Sequence, residues 1–503
     1  MMYGEEKSDS LIVAANLANN PQGAESVERR SGAKGNAEQP HMRRTQSRES
    51  MSQRLSRVRE AAKQRKKERF TALFHLLTAE ALENAFLSLS RKAAAGVDGV
   101  RWKDYAENLK VNIADLHRRL HQGSYRAQPG RRHYIPKADG KQRPLGIASL
   151  EDKIVQYALV KILNAVYEND FMGFSYGFRP GRSQHNALDA LATGLVRTNV
   201  NWVLDADISQ FFDKVSHEWL IRFIEHRIGD QRVIRLIRKW LTAGTSEEGE
   251  WRASEEGEWR ASEEGTPQGA VISPLLANIY LHYVFDLWAH QWRRRHATGN
   301  VVMVRYADDI VIGFDKRIDA QCFRIAMQRR LKEFGLTVHP KKTRLTEFGR
   351  FAAENRASRG KGKPETFNFL GFTHISGKDR SGRFMLIRKT RRDRMTATLK
   401  AIKDGLRKRW HYSIHEQGKW LRRVVQGYLN YHSVPGNYPM MRKFRIYVTD
   451  LWRRALRRRS QQDDTTWTKA NRLAAVWLPK VRVLHPWPVE RFTARHPRQE
   501  PGA

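Results

Sequence analysis

The stretch VVMVRYADDIVIGF, residues 301–314, sets two adjacent carboxylates, Asp308 and Asp309, between strand-forming apolar runs. Like charges this close repel, and burying them is costly. The arrangement makes sense where something strongly positive belongs between them. Val302, Val304 and Tyr306 alternate with Met303 and Arg305, and apolar residues resume at Ile310, Val311 and Ile312. That pattern predicts a β-hairpin with Ala307-Asp308-Asp309 at or near the turn. A matching acid stands upstream in DADISQFFDKV, residues 205–215, where an apolar strand ends in Asp207 and two aromatics lead to Asp213. Three carboxylates on neighbouring strands, Asp207, Asp308 and Asp309, can hold a pair of Mg²⁺ ions, because hard cations prefer oxygen ligands. Two such ions can stabilise both the attacking and the leaving oxygen of a phosphoryl transfer. Adjacent aspartates alone are commonly just solvated turn residues; the two motifs together are far more specific.

The elements that must position these acids are legible as short strand-like runs among helical periodicities. RRHYIPK (131–137), NWVLDADI (201–208), VVMVRY (301–306) and DIVIGF (309–314) read as strands, and the mixture over about 70–385 predicts an α+β or mixed domain. Farther on the pattern turns helical and basic, with 26 Lys and Arg against 8 Asp and Glu in residues 391–503. Phe444, Tyr447, Val448, Leu451, Trp452, Ala455 and Leu456 recur at helical spacing and predict one amphipathic helix. Its other face carries Arg442, Arg445, Arg453 and Arg457, a candidate RNA-binding surface.

Residues 1–50 are polar and poor in large apolar side chains, which predicts disorder. Residues 55–69 place a basic run on strong helix formers, readable as a solvated face or as a nucleic-acid contact. The octet SEEGEWRA fills 246–253, repeats unchanged at 254–261 and begins again at 262. An eight-residue period matches no solenoid repeat and reads as a tandem duplication in an exposed loop.

The whole chain of 503 residues carries 91 Lys and Arg against 53 Asp and Glu, a net charge of +38. A single-sign field of that size points to a polyanionic partner, with an anionic membrane as the lesser alternative. The single cysteine, Cys322, excludes a disulfide framework and a paired-cysteine zinc site. No run of 18 apolar residues predicts a membrane span and the polar N-terminus is no signal peptide, so no membrane partner is expected and the protein reads as cytoplasmic.

YADD in a predicted hairpin, with D-I-x-x-F-F-D upstream, resembles the reverse transcriptases encoded by group II introns, also called maturases. The resemblance covers roughly residues 70–490, with blocks in the family's order. GVDGV (96–100), YIPKADGKQRPLGI (134–147) and FSYGFRPGRSQHNAL (174–188) resemble the N-terminal extension and fingers. DADISQFFDKV, GTPQGAVISPLLANIYLH (265–282), YADD, FGLTVHPKKTRL (334–345) and FNFLGF (367–372) resemble the palm. VVQGYLNYH (424–432) and the basic helix after it look like the thumb, or maturase domain X.

The resemblance implies an α+β right-hand polymerase, fingers and an antiparallel palm sheet followed by a helical thumb. Its divisions fall at 1–50 for a disordered segment, 51–200 for the N-terminal extension and fingers, and 201–385 for the palm. The thumb follows at 386–475, then a basic tail at 476–503. It assigns metal binding to Asp207 and Asp308, with Asp309 completing the cluster and the Ile208 carbonyl as a further ligand. The metal is Mg²⁺, two ions, with Mn²⁺ as the substitute. Lys137 and Arg143 meet the triphosphate, helped by Arg131; cations on a hairpin suit that task. Phe212 stacks under the sugar and excludes a 2′-hydroxyl; its plain alternative is a core aromatic. Gln268 lines the nucleotide pocket, Gly269 allows close backbone approach, and Lys342 protonates the departing pyrophosphate, with Lys341 adjacent.

The implied function is RNA-directed DNA polymerisation on an RNA template and DNA primer with deoxynucleoside triphosphates. Binding of the parent group II intron RNA assists splicing and retrohoming, in a bacterial cytoplasm and at the nucleoid. Two departures stand out: the duplicated octet lies just before GTPQG, and no paired cysteines of an HNH endonuclease follow, so the resemblance is to the endonuclease-lacking branch, whose VLHPWPVERF (483–492) is shared. Two other readings use the same motifs: a splicing factor with a vestigial polymerase, and a domesticated reverse transcriptase of phage defence or diversity generation.

Overall fold

The computed structural model describes residues 40–136, 142–246, 264–459 and 465–495. Lys137 and nearly all of the duplicated octets lie outside the described residues. Ten strands occur among those described: β1 (Gly130–Pro136), β2 (Gln142–Ile147), β3 (Trp202–Asp207), β4 (Thr245–Ser246), β5 (Val301–Tyr306), β6 (Asp309–Phe314), β7 (Arg344–Glu347), β8 (Phe367–Phe369), β9 (Phe372–Lys378) and β10 (Phe384–Thr390). They form three sheets, ordered β2-β1-β4, β5-β6-β3-β7 and β10-β9-β8. Pairings are antiparallel throughout apart from the short β1–β4 contact. The four strand-like runs of the sequence thus become β1, β3, β5 and β6.

The four-stranded sheet is covered on both faces, which is why β5 and β6 read as near-continuous apolar runs rather than as an alternation. Residue parity still divides them. Leu204, Ala206, Val301, Met303, Ile310 and Ile312 enter a large core built mainly with helices. Val203, Val302, Val304 and Val311 enter a second core with the helix Gln184–Arg197 and with Phe348, Phe367 and Phe372. Serine side chains begin the helices nearby: Ser149 caps Leu150–Tyr167, and Ser183 forms a capping box at Gln184–Arg197.

The C-terminal helices Arg392–Lys408, Ile414–His432, Tyr438–Arg457 and Trp467–Trp477 share a third core. In Tyr438–Arg457 the expected stripe buries Phe444, Val448, Trp452 and Leu456, while Tyr447 stays exposed. The chain then returns to the second core: Phe492 of the helix Pro488–Arg495 is buried there, and Arg491 pairs with Asp189 of Gln184–Arg197.

One expectation needs correction. Residues 1–39 lie outside the described residues, but 40–50, read from composition as disordered, belong to the helix Pro40–Gln64. The composition argument weighs apolar content, whereas a helix also follows from propensity, and this one starts on proline and runs through Met, Arg, Gln and Glu. Among the described residues, no helix is long and apolar enough to cross a membrane.

Candidate active site

Tyr306 pairs with Asp309 across β5 and β6, so the strands are joined by the two-residue turn Ala307-Asp308. Ala307 has φ +57°, a conformation in which a residue with a Cβ is strained. Asp207, the last residue of β3, stands opposite Asp309 on β6. Strand pairing therefore gathers Asp207, Asp308 and Asp309, separated by about a hundred residues of sequence, at one end of one sheet.

Their electrostatics reflect crowding. Burial raises the Asp308 carboxyl above the usual range, and Asp207 adds to the rise against the pull of Arg143 and Lys342. Asp309 is open to solvent on one side. The protein around it, then Asp308 and Asp207, still push it up to about 6. Asp205, two residues before Asp207 and so on the same face of β3, is pushed up to about 7 by burial and by Asp309, with Arg344 opposing.

Cations answer this charge. The segment after the helix Arg317–Glu333 runs beside the end of β3: Ser209 donates its N–H to Thr337 O at 2.8 Å, and His339 to Asp207 O at 2.7 Å. It delivers Lys342, whose Nζ meets Asp207 Oδ2 at 2.5 Å. Arg143 lies exposed on β2, within electrostatic reach of Asp308.

The segment around Gln268 is knitted between β2 and the turn that follows β3. Thr266 donates to Phe212 O at 2.7 Å, Gly146 to Gln268 O at 2.6 Å, and Gln268 Nε2 to Asp213 Oδ1 at 2.9 Å. Gly269, at φ +112°, is required: a Cβ there would stand 2.9 Å from Gly146 O. Phe212 is half-buried, its ring edge-on to Phe211 at 5.4 Å. Ile208 is buried and bridges Val338. Among the described residues, three of the four non-glycine residues with positive φ, Phe178, Gln210 and Ala307, lie in segments that carry or adjoin the acids, where strain commonly collects at functional sites.

The remaining candidates sit elsewhere. Lys137 falls outside the described residues. Arg131, on β1, donates to Ala95 O at 3.2 Å. The four candidate arginines on the helix Tyr438–Arg457 divide: Arg442 and Arg457 are exposed. Arg445 instead donates to Pro479 O and Ala474 O, and Arg453 binds Asp450 and stacks on Trp467.

The resemblance carried by these motifs implies a divalent metal. Among the described residues no three His, Cys, Asp or Glu side chains converge to hold an ion alone. Magnesium, however, is typically held by one or two carboxylates completed by water and substrate phosphate. The donors here are all hard oxygens, burial and then neighbouring carboxylates raise the proton affinity of Asp308 and Asp309, and the Lys342 ammonium stands on Asp207 as a cation. The residues fit.

Sequence reading passed over Asp205 and the buried Arg305 with its partners. For Asp205 the signal was present: in DAD the two acids share one face of a strand. For Arg305 there was none, since its partners are scattered along the chain.

Residues 135–374 match the family model described as reverse transcriptase (RNA-dependent DNA polymerase). The fold and its acid-bearing turn thus belong to a reverse transcriptase domain. The chain is 41% identical over 214 residues to Protein YkfC of Escherichia coli, covering 42% of this chain and 54% of that protein. It is 36% identical over 231 residues to the Group II intron-encoded protein LtrA of Lactococcus lactis, covering 45% and 37%. A putative COX1/OXI3 intron 1 protein of Saccharomyces cerevisiae is 25% identical over 401 residues, covering 66% and 46%. Over the segments it shares with these relatives, the chain is similar to proteins named as intron-encoded, LtrA and the COX1/OXI3 intron 1 protein among them. It spans about half or less of the length of these relatives.

Proposed function

We propose that the chain is an RNA-directed DNA polymerase encoded by a group II intron, which also binds that intron's RNA as a maturase. The observation that carries this reading is the meeting of Asp207, Asp308 and Asp309 at one sheet end, beside Lys342 and Arg143. On this reading 51–200 is the N-terminal extension and fingers, 201–385 the palm, 386–475 the thumb or domain X, and 476–503 a basic tail. Template RNA and DNA primer lie across the sheet end that carries the acids.

Asp207 and Asp308 would hold two Mg²⁺, or Mn²⁺, with Asp309 and the Ile208 carbonyl completing the set. When bound, the ions activate the primer 3′-hydroxyl and neutralise the leaving pyrophosphate. The chain's own residues do the rest. Arg143 and Lys137 neutralise and orient the triphosphate of the incoming deoxynucleotide. Phe212 closes the space a 2′-hydroxyl needs, and Gln268 and Gly269 wall the pocket beside β2. Lys342, released from Asp207, stands ready to give a proton to the departing phosphate oxygen.

The net charge of +38 supports a polyanionic partner. Arg442 and Arg457 are exposed cations on the Tyr438–Arg457 helix for intron RNA. Arg445 and Arg453 support that helix through their internal bonds, and Arg131 is a further candidate RNA contact on β1. The setting is the bacterial cytoplasm, with the nucleoid as the place of retrohoming.

The test is primer extension on an RNA template with deoxynucleotides and Mg²⁺, wild type against Asp308→Ala, with intron RNA binding in parallel. Extension that is lost in the variant while RNA binding survives is the expected result. A folded wild type that binds intron RNA but extends nothing would leave a splicing factor.

A further inference from the structure

Behind the acid-bearing turn, the sheet contains a fully buried arginine. Arg305 of β5 and Asp286 are each 0% exposed. The Arg305 Nε and Nη2 donate to the two Asp286 carboxylate oxygens at 2.7 and 2.6 Å. Nη2 also donates to Ser175 Oγ at 2.7 Å, and Nη1 to Asn278 Oδ1 at 3.1 Å. The remaining Nη1 bond, 3.0 Å long, goes to the main-chain carbonyl of Ala307. A guanidinium has five N–H donors in a fixed fork, and all five are used.

The main chain is pinned as well. Arg305 donates its N–H to Phe174 O at 2.9 Å and accepts from Tyr176 N at 2.8 Å. Asn278 Nδ2 donates to Gly177 O at 2.6 Å. Gly177 lies flush on the turn, since a Cβ there would come within 2.3 Å of Ala307 N. FSYG, residues 174–177, therefore serves as the floor of the turn. Asp286 closes the π-helical stretch His282–Asp286, an irregularity often found at functional sites.

Core packing alone does not call for this network. A buried ion pair is often no more stabilising than apolar side chains of the same volume. What an apolar residue cannot supply is a donor to the Ala307 carbonyl. Ala307 is the residue at φ +57°, and Asp308 comes next. A strained turn keeps its conformation only where its surroundings over-determine it.

We infer that Arg305, fixed by Asp286, Asn278 and Ser175, is the positioning residue of the active-site turn: it holds the Ala307 carbonyl and thereby sets where Asp308 presents its carboxylate. The inference rests on the role of Asp308 proposed above. It gives the floor and the guanidinium one task, to keep a catalytic carboxylate still without touching substrate.

The test uses the full chain and the double variant Arg305→Met with Asp286→Leu, which removes both charges at similar volume. Primer extension should show kcat lowered at least a hundredfold. The KM for deoxynucleotide should stay within about threefold, because Arg143 and Gln268 are untouched. The Mg²⁺ concentration for half-maximal rate should rise. A folded double variant with wild-type kcat overturns the inference. Arg305→Lys, which keeps a cation on Asp286 but cannot also reach Ala307 through a fork, should show a smaller loss of the same kind, and wild-type kcat there overturns it equally. Hydrogen exchange in peptides spanning 301–314 reads the turn without any activity. Faster exchange at 306–309 alone in either variant supports the inference, and unchanged protection in both overturns it. An inactive wild type would refute the functional reading, and the exchange comparison would still decide whether Arg305 holds the turn.

Discussion

Asp205 stands in β3 opposite Val311 of β6 and Arg344 of β7, and burial together with Asp309 pushes its carboxyl up to about 7. In the unfolded chain the same group titrates near the ordinary carboxyl value of 3.8. A folded-state pKa above the unfolded one means that folding is opposed by ionisation: the penalty is absent in acid, grows as pH rises from the unfolded value to the folded one, and is constant above that. Each pH unit in this window is worth about 1.4 kcal/mol, so from pH 5 to pH 8 the penalty grows by about 3 kcal/mol, trimmed to roughly 2 kcal/mol by screening at the open side.

Asp205→Asn removes the titration. At about 2–4 °C per kcal/mol for a unit of this size, the melting temperature of the variant should gain roughly 5 °C on wild type between pH 5 and pH 8, measured in EDTA. His185 and His374, held down to about 3 by burial, make both proteins more stable as pH rises toward about 6.5, and this common term cancels in the difference. Added Mg²⁺ should narrow the gap at pH 8, since a cation among the carboxylates relieves the same repulsion. Parallel melting curves for variant and wild type from pH 5 to pH 8 would refute the reasoning.

Deleting residues 254–261 should leave primer extension within about twofold of wild type, because the chain on either side of the duplicated octets is anchored: Gly244 accepts from Gly130, and Gly265 donates to Val215 O; a large loss would show that the length of this segment matters. Asp189→Asn should lower stability by about 3–5 kcal/mol, since it strips the acid from two guanidiniums, Arg388 and Arg491. A urea midpoint equal to wild type would count against that pairing. Phe212→Val should raise ribonucleotide incorporation at least tenfold in single-nucleotide extension, and unchanged selectivity would return Phe212 to the role of a core aromatic. Arg442→Glu with Arg457→Glu should weaken intron RNA binding and its salt dependence at an unchanged melting temperature. Arg445→Ala, by contrast, should lower the melting temperature, because its guanidinium satisfies the Pro479 and Ala474 carbonyls.

Much of the site was legible before any coordinates because its signals are local. Two strand-length apolar runs in 301–314, broken by Ala-Asp-Asp, read as a tight hairpin, and the turn falls at Ala307-Asp308. The end of β3 at Asp207 and the buried stripe of the Tyr438–Arg457 helix were likewise readable, since strand and helix periodicities depend on neighbours a few residues apart. Composition misled at residues 40–50, where helix propensity outweighed the lack of apolar side chains.

What the sequence by itself determined was the set of candidate groups: three acids, the segments that bear them, and a positive charge suited to a polyanion. Only the tertiary structure decided how the charges settle. It put Asp205 among the acids and Lys342 on Asp207, turned Arg445 and Arg453 to internal carbonyls, aromatics and acids, and left Arg442 and Arg457 outside. It also closed Ser175, Asn278 and Asp286 around Arg305 behind the turn. The physical reason is that hairpins and helix stripes follow from short-range sterics and periodicity. A buried guanidinium or a raised carboxyl depends on groups from about twenty to more than a hundred residues away, brought together by packing rather than by any local period.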